Sequence, residues 1–333
     1  LVNARKIRCM SQRDLVARME GKVSSTAIEK YEKALMMPSS DVLIMLARVL
    51  GFRMDYFYRP FTVAIDAEGF EFRKQASLGA KKVESIKHMV MSEIEKYLEV
   101  EGILGIQARF TLDYRNVSVE CEEDAMALAM RLRKDWSIGL DGITSVIELL
   151  ESNGVKIIEV EADAKFSGTC NKAGEIPVIV INKQMSAERK RMTIFHELGH
   201  LLMHFAQGVD EEKMCTMFAS EVLIPKEKFV DILGESRHDI SLVELQVVQR
   251  EYGISVDALM AKAAQLNVIT RRRYQSYFKK KNALPQFKTA VEKSLVDDEH
   301  TNRFERLVYR ALASEVISTS KAASLLNCSV EEV

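Results

Sequence analysis

The sequence predicts a mainly α-helical protein of the α+β class, divided into several domains around one small sheet. Three observations carry that expectation. The 333 residues exceed what one hydrophobic core usually serves. Helical periodicity and capping signals recur along most of the chain, while strand patterns are confined to the neighbourhood of residues 155–182. Charge is uneven: the net value is −1, yet residues 1–60 hold eleven lysines and arginines against six acids. A compact basic segment on a near-neutral protein suits a polyanionic partner.

Residues 3–57 read as five short helices. Ser11 caps one that starts at Gln12, and Ser24 opens another that runs to Lys33. Pro38-Ser-Ser-Asp caps Val42–Leu50, which Gly51 stops. Pro60 marks a boundary. From 80 to 104, Val83, Ile86, Met89, Val90, Ile94, Tyr97 and Leu98 form one apolar stripe on a long charged helix, spaced for packing. Glu123–Trp136 and Gly142–Ser152 are two further helices. Val155–Val160 alternates as a strand, Asn171–Glu175 is a turn, and Ile176–Asn182 is a second strand, with Pro177 fitting a sheet edge. A helix covers Arg189–His204, a polar break falls at Gly208–Asp210, and Glu211–Leu223 is helical up to Pro225. Residues 238–333 are helical again, with basic clusters at Arg271–Arg273 and Lys279–Lys281. Residues 317–333 have helix-turn-helix rhythm; a second DNA-contacting unit is one reading, and packing onto their domain is the favoured one. The expected domains are 1–62, a linking helical region at 63–115, 116–235, and a helical C-terminal domain at 236–333.

The five cysteines are widely spaced and form no Cys-x-x-Cys pair. They suggest neither a disulfide framework nor a thiolate metal site, and a reducing compartment is expected. No apolar run approaches the ~20 residues that span a bilayer, and no signal peptide opens the sequence. The expectation is a cytoplasmic protein without a membrane partner.

The chemistry concentrates at His196-Glu197-Leu-Gly-His200. On a helix, His196 and His200 lie one turn apart on one face, so both imidazoles can reach a single Zn2+. Glu197 then stands beside the open position, where it can take a proton from bound water. Such a water has a pKa near ~7 rather than ~15.7. A catalytic zinc commonly has three protein ligands. Glu211, Glu212, Glu221 and His204 are the nearby choices, and spacing does not decide among them. His204 sits a further ~5.4 Å turn along the axis, which suits a supporting, oxyanion-facing or rim histidine better than a ligand.

Further residues around this motif resemble the ImmA/IrrE family of bacterial metallopeptidases. They are the strand Ile176–Asn182, Ala187-Glu-Arg-Lys-Arg before the motif, and Glu212-Lys-Met-Cys-Thr-Met-Phe-Ala-Ser-Glu-Val-Leu-Ile-Pro225 after it. The resemblance implies a zincin-like peptidase domain at 116–235 in which Glu212 is the third zinc ligand and Glu197 the general base. Four residues after that glutamate the family has Asn or Asp; here Thr216 stands there, as a hydroxyl able to hydrogen-bond a ligand. Residues 3–58 are similar to the Xre/Cro-type helix-turn-helix, through Ser11-Gln-Arg-Asp-Leu-Val-Ala, Ala27-Ile-Glu-Lys-Tyr-Glu32 and Pro38…Leu43…Leu46-Ala47…Leu50. Arg303–Leu312 looks like the tail of proteins that fuse the two domains. This likeness implies a recognition helix at Ser24–Lys33, with Ser25, Thr26, Glu29 and Lys30 facing bases. Gln12 would meet backbone or a flanking base, and Arg13 and Lys33 phosphates.

Together these imply a cytosolic zinc endopeptidase with its own DNA-binding domain. It would cleave a repressor or partner of a stress, mobile-element or toxin–antitoxin circuit, along an edge strand at Ile176–Ile181, and a homodimer would fit a two-fold operator. The alternative is a non-proteolytic DNA-binding regulator or antitoxin whose metal site is structural or sensory.

Overall fold

The computed structural model describes residues 1–58, 79–106 and 110–333. The boundary expected at Pro60 and the start of the linking region at 63 lie outside the described residues. The chain is mainly helical with a small sheet. It divides into two compact units: Leu1–Ala108 with Lys172–Glu175 and Asn302–Val333, and Arg109–Asn171 with Ile176–Thr301.

In the first unit, Val2–Ile7, Gln12–Arg18, Ser25–Glu32 and Ser40–Leu50 are α-helices, and Met54–Phe57 is a 3-10 turn where a fifth helix was expected. Ser11 accepts from the Asp14 amide at 3.1 Å while the Asp14 carboxylate accepts from the Ser11 amide at 2.8 Å, a reciprocal cap. Ser24 accepts from the Ala27 amide at 3.1 Å. Gly51 ends the fourth helix at φ 65°, a left-handed position where glycine has no Cβ to clash. Ala4, Leu15, Ile28, Leu46 and Leu50 are fully buried and form the core of this helical group.

A polar clamp ties the first three of these helices. The Arg5 guanidinium donates to both oxygens of Glu32, at 2.6 and 2.9 Å, and the Gln12 amide donates to Glu32 at 2.7 Å. Burial pushes the Glu32 carboxyl upward, but the hydrogen bonds from Arg5 and Gln12 outweigh it and hold the group below its ordinary value. The long helix Ala80–Ile103 buries Ile86, Val90, Ile94, Tyr97 and Val100. Its last turns share a second, separate core with Leu307, Val308 and Ala311 of the helix Arg303–Ala313, and with Ala322 and Leu325 of Thr319–Leu326. Residues 317–333 thus pack within their unit. Asn327 ends Thr319–Leu326 at a left-handed φ of 57°, and residues 328–333 form turns rather than the expected second helix.

The three-stranded sheet has the order Lys156–Val160, Ile176–Asn182, Gly168–Ala173. The first two run parallel, with Ile157 opposite Ile179 and Glu159 opposite Ile181. Ile176–Asn182 is therefore the central strand, which corrects the expectation that it offers an edge. Pro177 lies near its start, where a missing amide costs little. The outer strand Gly168–Ala173 covers part of the stretch expected to be only a turn. The helices Glu122–Asp135 and Val146–Ser152 precede the sheet, the latter starting at Ser145, which accepts from the Glu148 amide at 3.2 Å. Ala187–Leu202 and Glu211–Leu223 follow it, then Lys226–Leu233, Leu242–Tyr252, Val256–Gln265, Arg271–Ala283 and Pro285–Glu292.

The first turn of Ala187–Leu202 is charged yet buried: Glu188, Lys190 and Arg191 are all under 5% exposed. Their partners come largely from the irregular segment 293–301. Glu188 accepts from Ser294 Oγ at 2.9 Å, the Leu295 amide at 3.1 Å and Gln249 at 2.7 Å. Lys190 pairs with Asp298 at 2.8 Å and Glu159 at 3.1 Å. Arg191 pairs with Glu299 at 2.5 Å and donates to the carbonyls of Ile143 and Thr144 at 2.9 and 2.8 Å.

The depressed Glu32 carboxyl has a signed consequence. A group whose folded pKa lies below its unfolded value of 4.5 contributes stability above that pH and loses it as pH falls through the folded value. Acid unfolding followed by circular dichroism should therefore show the N-terminal helices weakening below pH 4.5. In Glu32→Gln that acid-dependent component should be smaller, with stability at neutral pH already lowered by about 1–3 kcal/mol.

Candidate metal centre

The motif helix Ala187–Leu202 is fixed by a core on one side and by a second helix on another. Ile194, Phe195, Leu198 and Leu202 are buried with Ile157, Ile179 and Ile181 of the sheet and with Cys215, Phe218 and Ala219 of Glu211–Leu223. Gly199 lets the two helices close up. A Cβ there would stand 3.1 Å from Met203 Cε, 3.2 Å from Cys215 Sγ and 3.3 Å from Phe218 Cδ1. Within the pentapeptide, Leu198 serves the core and Gly199 the helix contact, leaving the two histidines and Glu197 for chemistry.

Asp210 starts the downstream helix by accepting from the Lys213 amide at 3.1 Å, which puts Glu212 in the first turn, where the helix dipole favours a carboxylate. Its two oxygens meet the two imidazoles: His196 Nε2 lies 3.1 Å from Oε2, and His200 Nε2 lies 3.2 Å from Oε1. One ligand atom from each residue falls within 4.8 Å of the others. Bonds of ~2.0–2.1 Å in a tetrahedral zinc site place neighbouring ligand atoms about 3.3 Å apart. Two imidazoles and one carboxylate at these separations fit Zn2+ in both donor chemistry and spacing. The Glu212 side chain is 72% exposed and that of His200 only 3%, so the cluster opens toward solvent on the carboxylate side.

Thr216 sits one turn after Glu212. Its hydroxyl donates to the Glu212 carbonyl at 2.8 Å and lies 3.3 Å from His196 Nδ1. A hydroxyl has a single proton. With that proton given to the carbonyl, the oxygen accepts from Nδ1–H, which leaves the Nε2 lone pair of His196 facing the cluster. Thr216 thereby does for the ligand what an amide or carboxylate side chain could do at the same position. Glu197 is half-buried on the helix face turned to the outer strand, where a Cβ on Gly168 would lie 3.7 Å from its Cγ and 2.6 Å from Thr193 Cγ2. Gly168 was not anticipated. Its only sequence signal is a glycine within a polar run ahead of the strand Ile176–Asn182.

The remaining candidates are placed elsewhere. Glu221 is buried against Lys262 Nζ at 2.6 Å and accepts from the Lys226 amide at 2.7 Å. His204 is not on the motif helix, which stops at Leu202. Met203 is extended there, and His204–Phe205 pairs in parallel with Ser118–Val119. The expected helical extension to His204 is thus corrected: tertiary pairing ends the helix, and His204 is exposed. In the first unit, Arg13, Ser25, Thr26, Glu29, Lys30 and Lys33 are exposed. Glu29 and Lys33 pair at 2.6 Å, and Gln12 is half-buried with its amide on Glu32.

Residues 150–263 match a peptidase family described as the IrrE N-terminal-like domain. The match takes in the sheet, the motif helix and the helix bearing Glu212, and it points to a metallopeptidase in this third of the chain. No curated protein matches the sequence.

Replacing Thr216 by Val removes the acceptor while keeping the shape. Zinc affinity, read by competition with a chromophoric chelator, should fall by about 10–100-fold, and Thr216→Asn should recover most of it. Gly199→Val should lower both metal content and thermal stability, since the packed Cys215 and Phe218 side chains at 3.2–3.3 Å from the new Cβ must give way.

Proposed function

We propose that the second unit is a zinc-dependent endopeptidase of the HExxH type and that the chain as a whole is a cytoplasmic regulatory protein. The observation that carries this reading is the convergence of His196, His200 and Glu212 on one point open to solvent, with Glu197 next to the first ligand. Zinc held there would acidify a water toward pKa ~7 and polarise a peptide carbonyl. Glu197 takes the proton of the attacking water and returns it to the departing amine, a general base and then a general acid within one turn of the histidines. Thr216 keeps His196 in the tautomer that leaves Nε2 available. The outer strand Gly168–Ala173, whose first residue lies against Glu197, is the edge along which an extended substrate would align. The substrate class we favour is a repressor or partner protein of a stress, mobile-element or toxin–antitoxin circuit.

For the N-terminal helices we propose a helix-turn-helix that binds operator DNA, with Gln12–Arg18 and Ser25–Glu32 as its pair. The exposed first turn of the second helix, with Ser25 and Thr26, suits base edges, and Lys30 follows on the same surface. Arg13 and Lys33 suit phosphates. An exposed pair such as Glu29–Lys33 is worth little in water, so Lys33 is readily yielded to a phosphate. A two-fold operator would recruit two copies of the chain.

A non-proteolytic regulator with a structural or sensory metal site remains the competing reading, and Glu197 separates the two. A structural site has no use for a base. Glu197→Gln should keep wild-type zinc stoichiometry and thermal stability while abolishing cleavage of the partner protein when co-expressed with it. Unchanged cleavage, or unchanged cellular output where no cleavage occurs, would favour the regulator. Operator affinity of the full chain should fall steeply with added salt, giving a linear log–log plot whose slope approaches −0.9 per phosphate contacted; a flat plot would remove the DNA-binding proposal.

A further inference from the structure

Among the described residues of the first unit, two hydrophobic cores are distinct. One lies among the N-terminal helices, with Phe52 and Tyr56 at its margin; the other joins Ala80–Ile103 to the C-terminal helices, with Phe304 and Leu326 at its margin. Between them is a cavity of about 340 Å³, within the range of small-molecule sites. The two sides are already bridged around it: Ser85 donates to the Ile7 carbonyl at 2.6 Å, and Arg53 donates to the Cys328 carbonyl at 2.6 Å. The cavity is therefore held open by hydrogen-bonded walls rather than by a loose contact.

The lining has a definite chemistry. Three aromatic residues, Phe52, Tyr56 and Phe304, line the space; Phe52 and Tyr56 have centroids only 4.4 Å apart, and Arg8 already covers Phe52 at 5.0 Å, which leaves the rings of Tyr56 and Phe304 for a ligand. The charged groups are Asp55, Glu93, Glu305 and Lys96. Asp55 is engaged by Arg53 at 3.3 Å and Glu93 by Lys96 at 2.8 Å. Glu305 has no ionic partner among the described residues. One uncompensated carboxylate beside π faces favours a cation that carries an apolar body, and disfavours an anion.

We propose that this cavity is a binding site for a small aromatic amine. Its planar ring would lie between Tyr56 and Phe304, and its ammonium group would face Glu305 and the outer side of Glu93. Such a ligand fills the gap between the two cores and ties the N-terminal helices to the long helix. The proposal uses no residue of the metal centre and does not depend on the peptidase reading.

Three probes that share one ring test it on the full-length protein by isothermal titration: tryptamine, the neutral tryptophol and the anionic indole-3-acetate. Tryptamine should bind, with an affinity about tenfold above tryptophol's, and indole-3-acetate should bind least. Glu305→Gln changes an exposed side chain, leaves the fold intact and should bring tryptamine down to the tryptophol level. Ser92→Leu puts a larger side chain into the cavity wall and should abolish binding; thermal unfolding of the free variant reports whether it is folded. No tryptamine binding at about 1 mM, equal affinity for all three probes, or unaltered selectivity in Glu305→Gln would overturn the proposal. Should Ser92→Leu fail to fold, the Glu305→Gln comparison decides.

Discussion

Glu212 faces both His196 and His200 across two helices that come together closely at Gly199. A Cβ at that position would press on the Cys215 and Phe218 side chains at 3.2 and 3.3 Å, on the contact that holds the two helices together. The ligand geometry is thus a consequence of helix packing. Residues of no chemical interest, Leu198, Ala219 and Phe218, set the separation at which a divalent cation fits. The Asp210 cap and the Thr216 hydroxyl then settle two finer variables, where the second helix starts and which imidazole nitrogen is left bare.

Much of this was legible in the residues because the signals are local. The caps at Ser11 and Ser24, the stop at Gly51, the strand Ile176–Asn182 and the long helix near 80–103 each depend on neighbours a few positions away. The pairing of two histidines is likewise a one-turn relation. What escaped was set at a distance. Gly-Thr-Cys-Asn-Lys-Ala lacks the alternation of a strand and becomes one by pairing with the apolar strand that follows. The same pairing moved Ile176–Asn182 from edge to centre. Nothing near Met203 marks a helix end, since what takes up His204–Phe205 is Ser118–Val119, far upstream. The choice of Glu212 as the third candidate ligand came from family likeness, because Glu211, Glu212 and Glu221 are equally good carboxylates until the fold pairs Glu221 with Lys262.

Both units use buried charge in the same manner. Glu32 satisfies Arg5 and Gln12 from neighbouring helices, and Glu188, Lys190 and Arg191 are satisfied from several segments at once. Such groups gain little net stability over apolar replacements, but they tolerate few alternative arrangements. In each unit the clamp lies on or beside a helix whose orientation matters for the proposed activity.

The anchoring of that first turn on residues 293–301 also bears on how the protein can be divided. A fragment ending at residue 263, where the family similarity stops, would retain His196, His200 and Glu212 and lose Ser294, Leu295, Asp298 and Glu299. Stranding an ion in an apolar interior costs about 3–5 kcal/mol, against a total of about 5–15 kcal/mol for a whole domain. The stretch that carries the family likeness is accordingly smaller than the piece that satisfies its own buried charges, which extends to the segment ending at Thr301.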